Sequence, residues 1–162
     1  MPTGPRLVLE KVCYHIVTRG NQKQRIFLDT PDYEEFITRL KMYKRKHDFM
    51  LYGFCLMPNH IHIVGEPKEI PNLAKFMQGL LRSYTSYFNK KYTKVGHLWQ
   101  GRFKSKVIVK DNYLIDCIHY VELNPVRAGI VKMPGEYNWS SNKERIFGQA
   151  YNSILLLSQF QL

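Results

Sequence analysis

Two histidines, His60 and His62, are separated by one residue in an apolar stretch with the composition of a β-strand. Successive side chains of a strand point to opposite faces, so both imidazoles should lie on one face, with Ile61 and Ile63 on the other. Imidazole is a good ligand for divalent metals, and a pair fixed on a strand needs one or two further ligands to form a site. The alternative is that both histidines are ordinary polar residues on the solvated face of a half-buried strand.

A second group of reactive side chains lies in residues 112–124, which have the apolar spacing of a helix. Tyr120 and Asn124 are four residues apart, so their side chains should lie one above the other on one face. The amide oxygen of Asn124 could complete a metal site with the two imidazoles. The phenol oxygen of Tyr120 could act as a nucleophile toward phosphorus.

Each of these residues also has a purely structural interpretation. The chain has 11 tyrosines, and Tyr120 could be an amphipathic helix residue with a packed ring and a solvated hydroxyl. Asn124 stands directly before Pro125, which is a turn or cap signal. Tyr113 lies on a similar face of the helix and competes with Tyr120 for the role of nucleophile. Spacing alone leaves these alternatives open.

The elements that must position these residues alternate between strands and helices. Strands are predicted at residues 12–17, 49–57, 61–66 and 101–109, and helices at 31–46, 72–89 and 112–124. Residues 134–162 are harder to interpret, with a short helix or strand suggested at 154–157. The order strand, helix, strand, strand, helix, strand predicts an α+β fold. We expect a ferredoxin-like antiparallel sheet with two helices on one face, and an added C-terminal helix that carries Tyr120.

The charge of the chain indicates a polyanionic partner. Among 162 residues there are 24 lysines and arginines against 13 acidic residues, a formal net charge of +11 in a chain of otherwise globular composition. No segment has the apolar length of a transmembrane helix, and the N-terminus lacks the apolar core of a signal peptide, so nucleic acid is favoured over a membrane. The three cysteines are widely spaced, which argues against a disulfide framework and favours a cytoplasmic location.

Several basic and aromatic residues are candidates for contact with DNA. Arg102, Lys104 and Lys106 alternate along the predicted strand, so they should form a row of cations on one face. The alternative is an edge strand that its charges protect against aggregation. Trp99 and Gln100 precede this row, where an aromatic ring could stack on an unpaired base or could instead be buried. Arg19, next to the polar loop after the first strand, is a weaker candidate.

Three motifs in this order resemble those of the single-tyrosine transposases of the His-hydrophobic-His class, nearest to the branch of REP-associated tyrosine transposases. They are MPNHIHIV at residues 57–64, GHLWQGRFK at 96–104 and YVELNPVRAG at 120–129. The resemblance covers most of the chain. It implies one transposase domain over residues 1–162, with a motif-bearing core at about 12–139 and a C-terminal tail at about 140–162.

The resemblance also implies roles for individual residues. His60, His62 and Asn124 would hold a divalent metal, Mg²⁺ or Mn²⁺, and Tyr120 would be the nucleophile that forms a 5′-phosphotyrosine link and releases a 3′-hydroxyl. Arg127 falls within the third motif and would contact DNA. His119 departs from the family, which often has a basic residue such as arginine there.

The partner implied is single-stranded DNA with hairpin ends, in the bacterial or archaeal cytoplasm and associated with the nucleoid. A homodimer is expected because relatives include dimers, with a monomer as the alternative. Two other functions stay open: a ferredoxin-like nucleic-acid-binding protein without catalysis, and a related single-strand nickase or replication initiator that uses the same site.

Overall fold

The computed structural model describes residues 12–108 and 112–147. Its strands are β1 (Cys13–Arg19), β2 (Phe49–Met57), β3 (His60–Pro67) and β4 (Lys104–Ile108). Its helices are α1 (Thr30–Lys46), α2 (Ile70–Tyr92), α3 (Asn112–Glu122), α4 (Asn124–Arg127) and α5 (Asn142–Phe147), with single 3₁₀ turns at Asn21–Lys23 and Pro134–Glu136. The tail beyond residue 147, including the element suggested at 154–157, lies outside the described residues.

The four strands form one sheet in the order β2-β3-β1-β4, and every neighbouring pair is antiparallel. This order and the βαββαβ sequence of elements confirm the predicted α+β fold with an antiparallel, ferredoxin-like sheet. β1 and β3 occupy the centre and β4 forms one edge. The two central strands therefore carry the side chains that are farthest from either edge of the sheet.

The faces of the sheet are covered by different helices. One face contributes Ile16, Ile61 and Ile63 to a large apolar core shared with α1 and α2. On the other face, Val64 belongs to a second apolar cluster that includes Ile118 of α3. Because side chains alternate along β3, the isoleucines face α1 and α2, whereas His60, His62 and Val64 face the side of α3.

The two long helices follow from their sequences. At α1, Asp29 caps the N-terminus by accepting a hydrogen bond from the backbone N–H of Asp32, and Pro31 occupies the first turn. The buried residues of α2 recur every three or four positions and produce one apolar stripe: Leu73, Phe76, Met77, Leu80, Tyr84 and Phe88. Within the described parts of the chain, no helix has both the length and the apolarity needed to cross a membrane.

Candidate active site

The pairing of β1 with β3 places three histidines on one face of the sheet. Val17 pairs with His62 and Arg19 pairs with His60, so the side chains of these residues lie on the same face. His15 is two residues before Val17 and shares that face. The sequence analysis gave His15 no role, because no local pattern shows the register between β1 and β3 and hence which residue of β1 lies near His62.

Hydrogen bonds fix both imidazoles of the predicted pair. Nδ1 of His60 lies 2.7 Å from Oδ1 of Asn59, and Nδ1 of His62 lies 2.9 Å from Nε2 of His15. Asn59 also donates from Nδ2 to the carbonyl oxygen of Lys23, which directs its amide oxygen toward His60. The rings of His60 and His62 are 5.0 Å apart between centroids. Each imidazole therefore has its Nδ1 engaged and keeps Nε2 for another ligand.

Burial keeps these histidines neutral. It lowers the pKa of His62 to about 3, and the neighbouring imidazoles and the guanidinium groups of Arg127 and Arg19 act in the same direction. Burial is also the larger cause of the lowered pKa of His60, with Arg19 as the second cause. The pKa of His15 is lowered by burial and then by Lys106. Neutral imidazole is the form that binds a metal ion, so the site needs no deprotonation step at neutral pH.

Tyr120 lies beside this group of histidines. Its ring centroid is 6.3 Å from that of His15 with the planes at 74°, and its side chain is 52% exposed. The guanidinium of Arg127 lies 4.1 Å from the centroid of the tyrosine ring. Tyr113 is 65% exposed and lines an open cleft of about 480 Å³ together with His15 and Lys106. Both tyrosines are accessible, and Tyr120 is the one whose ring lies against His15.

The helix that carries Tyr120 ends two residues earlier than predicted, and Pro125 explains the difference. Proline lacks the N–H that would bond to the carbonyl oxygen of Val121, and the side-chain Nδ2 of Asn124 donates to that oxygen instead, at 3.2 Å. Arg127 donates to the carbonyl oxygen of Tyr120. Asn124 therefore begins the separate short helix α4.

A buried ionic cluster anchors the end of α3. The carboxylate of Glu122 accepts hydrogen bonds from Ser141 (2.7 Å), Asn142 (2.9 Å) and Arg145 (2.9 Å). Ser141 also accepts a bond from the backbone N–H of Phe54 in β2. The cluster connects the end of α3 with α5 and the sheet. Because Glu122 is only two residues after Tyr120, the cluster fixes the position of the helix that carries this tyrosine.

The residue types present at this face could hold a divalent cation. Among the described residues there is no cluster of three His, Cys, Asp or Glu side chains that could hold a metal ion. A site here would therefore need the two imidazoles of His60 and His62 together with an oxygen donor of another type, such as the amide of Asn124. For Mg²⁺ or Mn²⁺ the remaining ligands would be oxygen atoms of water or phosphate, which these ions prefer.

Two of the three cations of the predicted row, Lys104 and Lys106, lie on the face of the histidines. Lys106 pairs with His15 and Lys104 pairs with Val17 on the edge strand β4. The prediction that Arg102 is part of this strand was wrong, because β4 begins at Lys104 and Phe103 turns into the core. Arg102 nevertheless lines a groove of about 180 Å³ whose other residues include Arg19, Gln100 and Lys104.

Trp99, a candidate for stacking on a base, also has structural contacts. Its indole N–H donates to the carbonyl oxygen of Leu81 at 3.3 Å, and its ring packs 6.2 Å from that of Tyr84. It also lines a cavity of about 530 Å³ together with Arg82 and Arg102. Because the backbone N–H of Gln100 donates to Arg19, the loop that carries Trp99 is fixed to the end of β1.

The sequence reasoning missed His15, Asn59 and the cluster around Glu122. Asn59 could have been noticed, because it directly precedes His60 in a turn between strands. His15 is a histidine within an apolar strand, which by itself only weakly indicates a functional role. Its position beside His62 can be recognised only once the pairing of the strands is known.

Comparisons with known proteins identify relatives of this chain. The model of the family described as IS200-like transposases matches residues 8–124. A Haemophilus influenzae protein provisionally named REP-associated tyrosine transposase is 29% identical over 128 residues, which cover 72% of each chain. A solved structure of a REP-associated tyrosine transposase bound to a REP hairpin superposes with a TM-score of 0.75. That match covers 95% of this chain and 90% of the other at 17% identity, so it shows a shared fold.

Proposed function

Because this chain belongs to the family of IS200-like transposases, we propose that it cleaves and rejoins single-stranded DNA near hairpin ends through a 5′-phosphotyrosine intermediate. The observation that carries this proposal is the position of Tyr120, whose ring lies 6.3 Å from that of His15, which in turn is hydrogen-bonded to His62. The candidate nucleophile is therefore connected through His15 to one of the two candidate metal ligands within one chain.

In the proposed reaction, Tyr120 and Arg127 act as follows. The phenol oxygen of Tyr120 attacks the scissile phosphorus and loses its proton, a new O–P bond forms, and the bond from phosphorus to the 3′ oxygen breaks. That oxygen takes up a proton and leaves as the 3′-hydroxyl. Attack by a 3′-hydroxyl on the phosphotyrosine reverses these changes and joins the strands. Arg127, over the ring of Tyr120, places a positive charge beside the reacting phosphate.

His60, His62 and Asn124 would hold the metal ion, with both imidazoles neutral and their Nε2 atoms available. When bound, Mg²⁺ or Mn²⁺ would polarise the scissile phosphate and stabilise the charge that develops on its oxygens, a contribution of several kcal/mol.

The DNA strand would follow the cations beside this site. Lys104, Lys106 and Arg19 lie on the same face as the histidines, and Arg102 and Gln100 line the adjoining groove. The structural neighbour is bound to a REP hairpin, and we extend hairpin-bearing DNA to this chain as its substrate. Such a substrate would place the protein at the nucleoid.

The test is formation of a covalent adduct with a hairpin-bearing oligonucleotide in the presence of Mg²⁺ or Mn²⁺, detected on a denaturing gel. We expect Tyr120→Phe to abolish the adduct, while the matched variant Tyr113→Phe retains it. His60→Ala/His62→Ala should also lose the adduct but keep most of the electrostatic binding to DNA, because cations elsewhere supply that binding. An adduct that survives in Tyr120→Phe would identify a different nucleophile.

Rejoining and subunit arrangement are tested with the same materials. An added oligonucleotide with a free 3′-hydroxyl should be joined to the tyrosine-linked strand, whereas cleavage without joining would indicate a nickase. Tyr120 lies beside His15 of its own chain, so we propose that it acts in cis even if the protein forms the expected homodimer. Mixing Tyr120→Phe with His60→Ala/His62→Ala should then restore no adduct, and restored activity would show action in trans.

A further inference from the structure

We propose that His15 is a positioning residue whose Nε2 accepts the Nδ1–H of His62 and so keeps the Nε2 of His62 unprotonated and directed at the metal position. This inference rests on the metal site of the proposed function. It concerns a residue of β1, more than 40 positions before the histidine pair, that lies in none of the three sequence motifs.

The geometry singles out this contact. His15 and His62 lie on adjacent central strands and on the same face, with nitrogen atoms 2.9 Å apart and ring planes 19° apart. This distance is that of a good hydrogen bond, and nearly parallel planes allow an N–H···N bond in the plane of both rings. The contact fixes the χ angles of His62 as well as its protonated nitrogen.

Only one direction of this hydrogen bond is compatible with a metal ion. Each neutral imidazole has one N–H and one acceptor nitrogen. If His15 donated from Nε2, Nδ1 of His62 would be the acceptor and its proton would be on Nε2, where it would block metal binding. If His62 donates from Nδ1, its Nε2 carries a lone pair. His15 then does for His62 what Asn59 does for His60, whose Nδ1 faces an amide oxygen that can only accept.

The same ring also contacts the nucleophile. The ring of His15 is edge-on to that of Tyr120, with a centroid distance of 6.3 Å. One side chain therefore touches both the candidate metal ligand and the candidate nucleophile, and it limits the space into which either can rotate. Removing the ring should affect metal affinity through His62 and the position of the phenol through Tyr120.

Three variants separate hydrogen bonding from packing. In His15→Gln, the amide oxygen can still accept the Nδ1–H of His62, whereas His15→Leu fills space without an acceptor. Asn59→Leu removes the corresponding acceptor from His60 and is the matched comparison. Thermal unfolding and salt-dependent DNA binding show whether each variant is folded, since neither depends on the tautomer of His62.

The first measurement is the tautomer of His62 in the metal-free protein, read from the ¹⁵N shifts and long-range couplings of its ring in NMR spectra. We expect an Nδ1–H tautomer in the wild type, retained in His15→Gln and redistributed in His15→Leu. The second is the affinity for Mn²⁺ without DNA, followed by the EPR signal of the free ion. We expect a loss of about 10- to 100-fold in His15→Leu and in Asn59→Leu, with His15→Gln closer to the wild type.

The outcomes distinguish the inference from its premise. An Nε2–H tautomer of His62 in the wild type, or wild-type Mn²⁺ affinity in a folded His15→Leu, would overturn the role of His15 while leaving the proposed function standing. Failure of the wild-type protein to bind Mn²⁺ at all would overturn the metal site and, with it, this inference.

Discussion

The buried pair of Glu122 and Arg145 offers a test of how the tyrosine helix is held. The two side chains are 2.9 Å apart and only 2% and 7% exposed. Replacing Arg145 by leucine would leave the carboxylate of Glu122 buried with two neutral donors, Ser141 and Asn142, and without a counter-charge. We expect this substitution to be among the most destabilising single changes in the region.

The magnitude follows from what is lost. Removing one partner of a buried ion pair costs about 3–5 kcal/mol, because the remaining charge has been taken out of water without compensation. Folded domains are stable by about 5–15 kcal/mol, so Arg145→Leu should remove a large fraction of the free energy of unfolding. Adding Glu122→Gln neutralises the remaining charge and keeps an acceptor for Ser141. The double variant should therefore be more stable than Arg145→Leu by at least about 1 kcal/mol.

Urea unfolding followed by tryptophan fluorescence measures these differences, since Trp139 lies near the cluster in the chain. The matched control is Lys143→Leu, which removes a more exposed cation from the same helix α5 and should change the stability by less than about 0.5 kcal/mol. In adduct assays at a temperature where all variants are folded, we expect Arg145→Leu to slow the reaction about 10- to 100-fold, because Tyr120 lies two residues before Glu122. A stability loss below about 1 kcal/mol, or a double variant no more stable than Arg145→Leu, would refute this account of the cluster.

Three further predictions follow from the site. Burial lowers the pKa of His15, His60 and His62, so below about pH 6.5 the unfolded chain binds more protons than the folded one. The free energy of unfolding of the metal-free protein should then decrease as the pH falls, by up to about 1.4 kcal/mol per pH unit for each histidine. For His62 this decrease should continue down to about pH 3. Urea unfolding between pH 4.5 and 8 measures the effect, and a free energy of unfolding that does not change with pH would contradict it. Lys104→Ala and Lys106→Ala should each reduce the magnitude of the slope of log affinity for single-stranded DNA against log salt concentration by about 0.7. Lys75→Ala, on α2, is the control and should leave this slope unchanged. Equal slopes in all three variants would argue against the proposed path of the DNA. Asn124→Leu should weaken Mn²⁺ binding, whereas Asn124→Asp keeps an oxygen ligand. Asn124→Leu should also cost about 1 kcal/mol of stability, because the carbonyl oxygen of Val121 loses its hydrogen-bond donor. Unchanged Mn²⁺ affinity in Asn124→Leu would exclude this residue as a ligand.

Local patterns were enough to predict the four strands, the helices α1, α2 and α3, and the fact that both histidines lie on the face opposite Ile61 and Ile63. Alternation along β3 separates His62 from Ile61 and Ile63, and the structure has them on opposite faces. The end of α3 could also have been predicted better, since a residue before proline rarely continues a helix and Asn124 precedes Pro125. The prediction carried the helix to Asn124, directly before the proline, whereas α3 ends at Glu122.

Contacts between distant parts of the chain could not be predicted in the same way. The hydrogen bond between His15 and His62 depends on β1 lying next to β3 with Val17 opposite His62, and no local pattern specifies that register. Glu122 and Arg145 likewise appear in the sequence as ordinary surface charges of two helices. Only the packing of α5 against the end of α3 makes them a buried pair.

The register between β1 and β3 therefore has a chemical as well as a structural consequence. Shifting β1 by one residue would turn His15 toward α1 and α2 and bring Ile16 to the face of the histidine pair. Such a shift would also remove Ile16 from the apolar core on the first face, at a cost of about 1.5–3 kcal/mol for that side chain alone. The hydrophobic alternation that stabilises the sheet thus also holds the acceptor nitrogen of His15 against His62. The burial of apolar side chains that fixes the strand register therefore also aligns the candidate site.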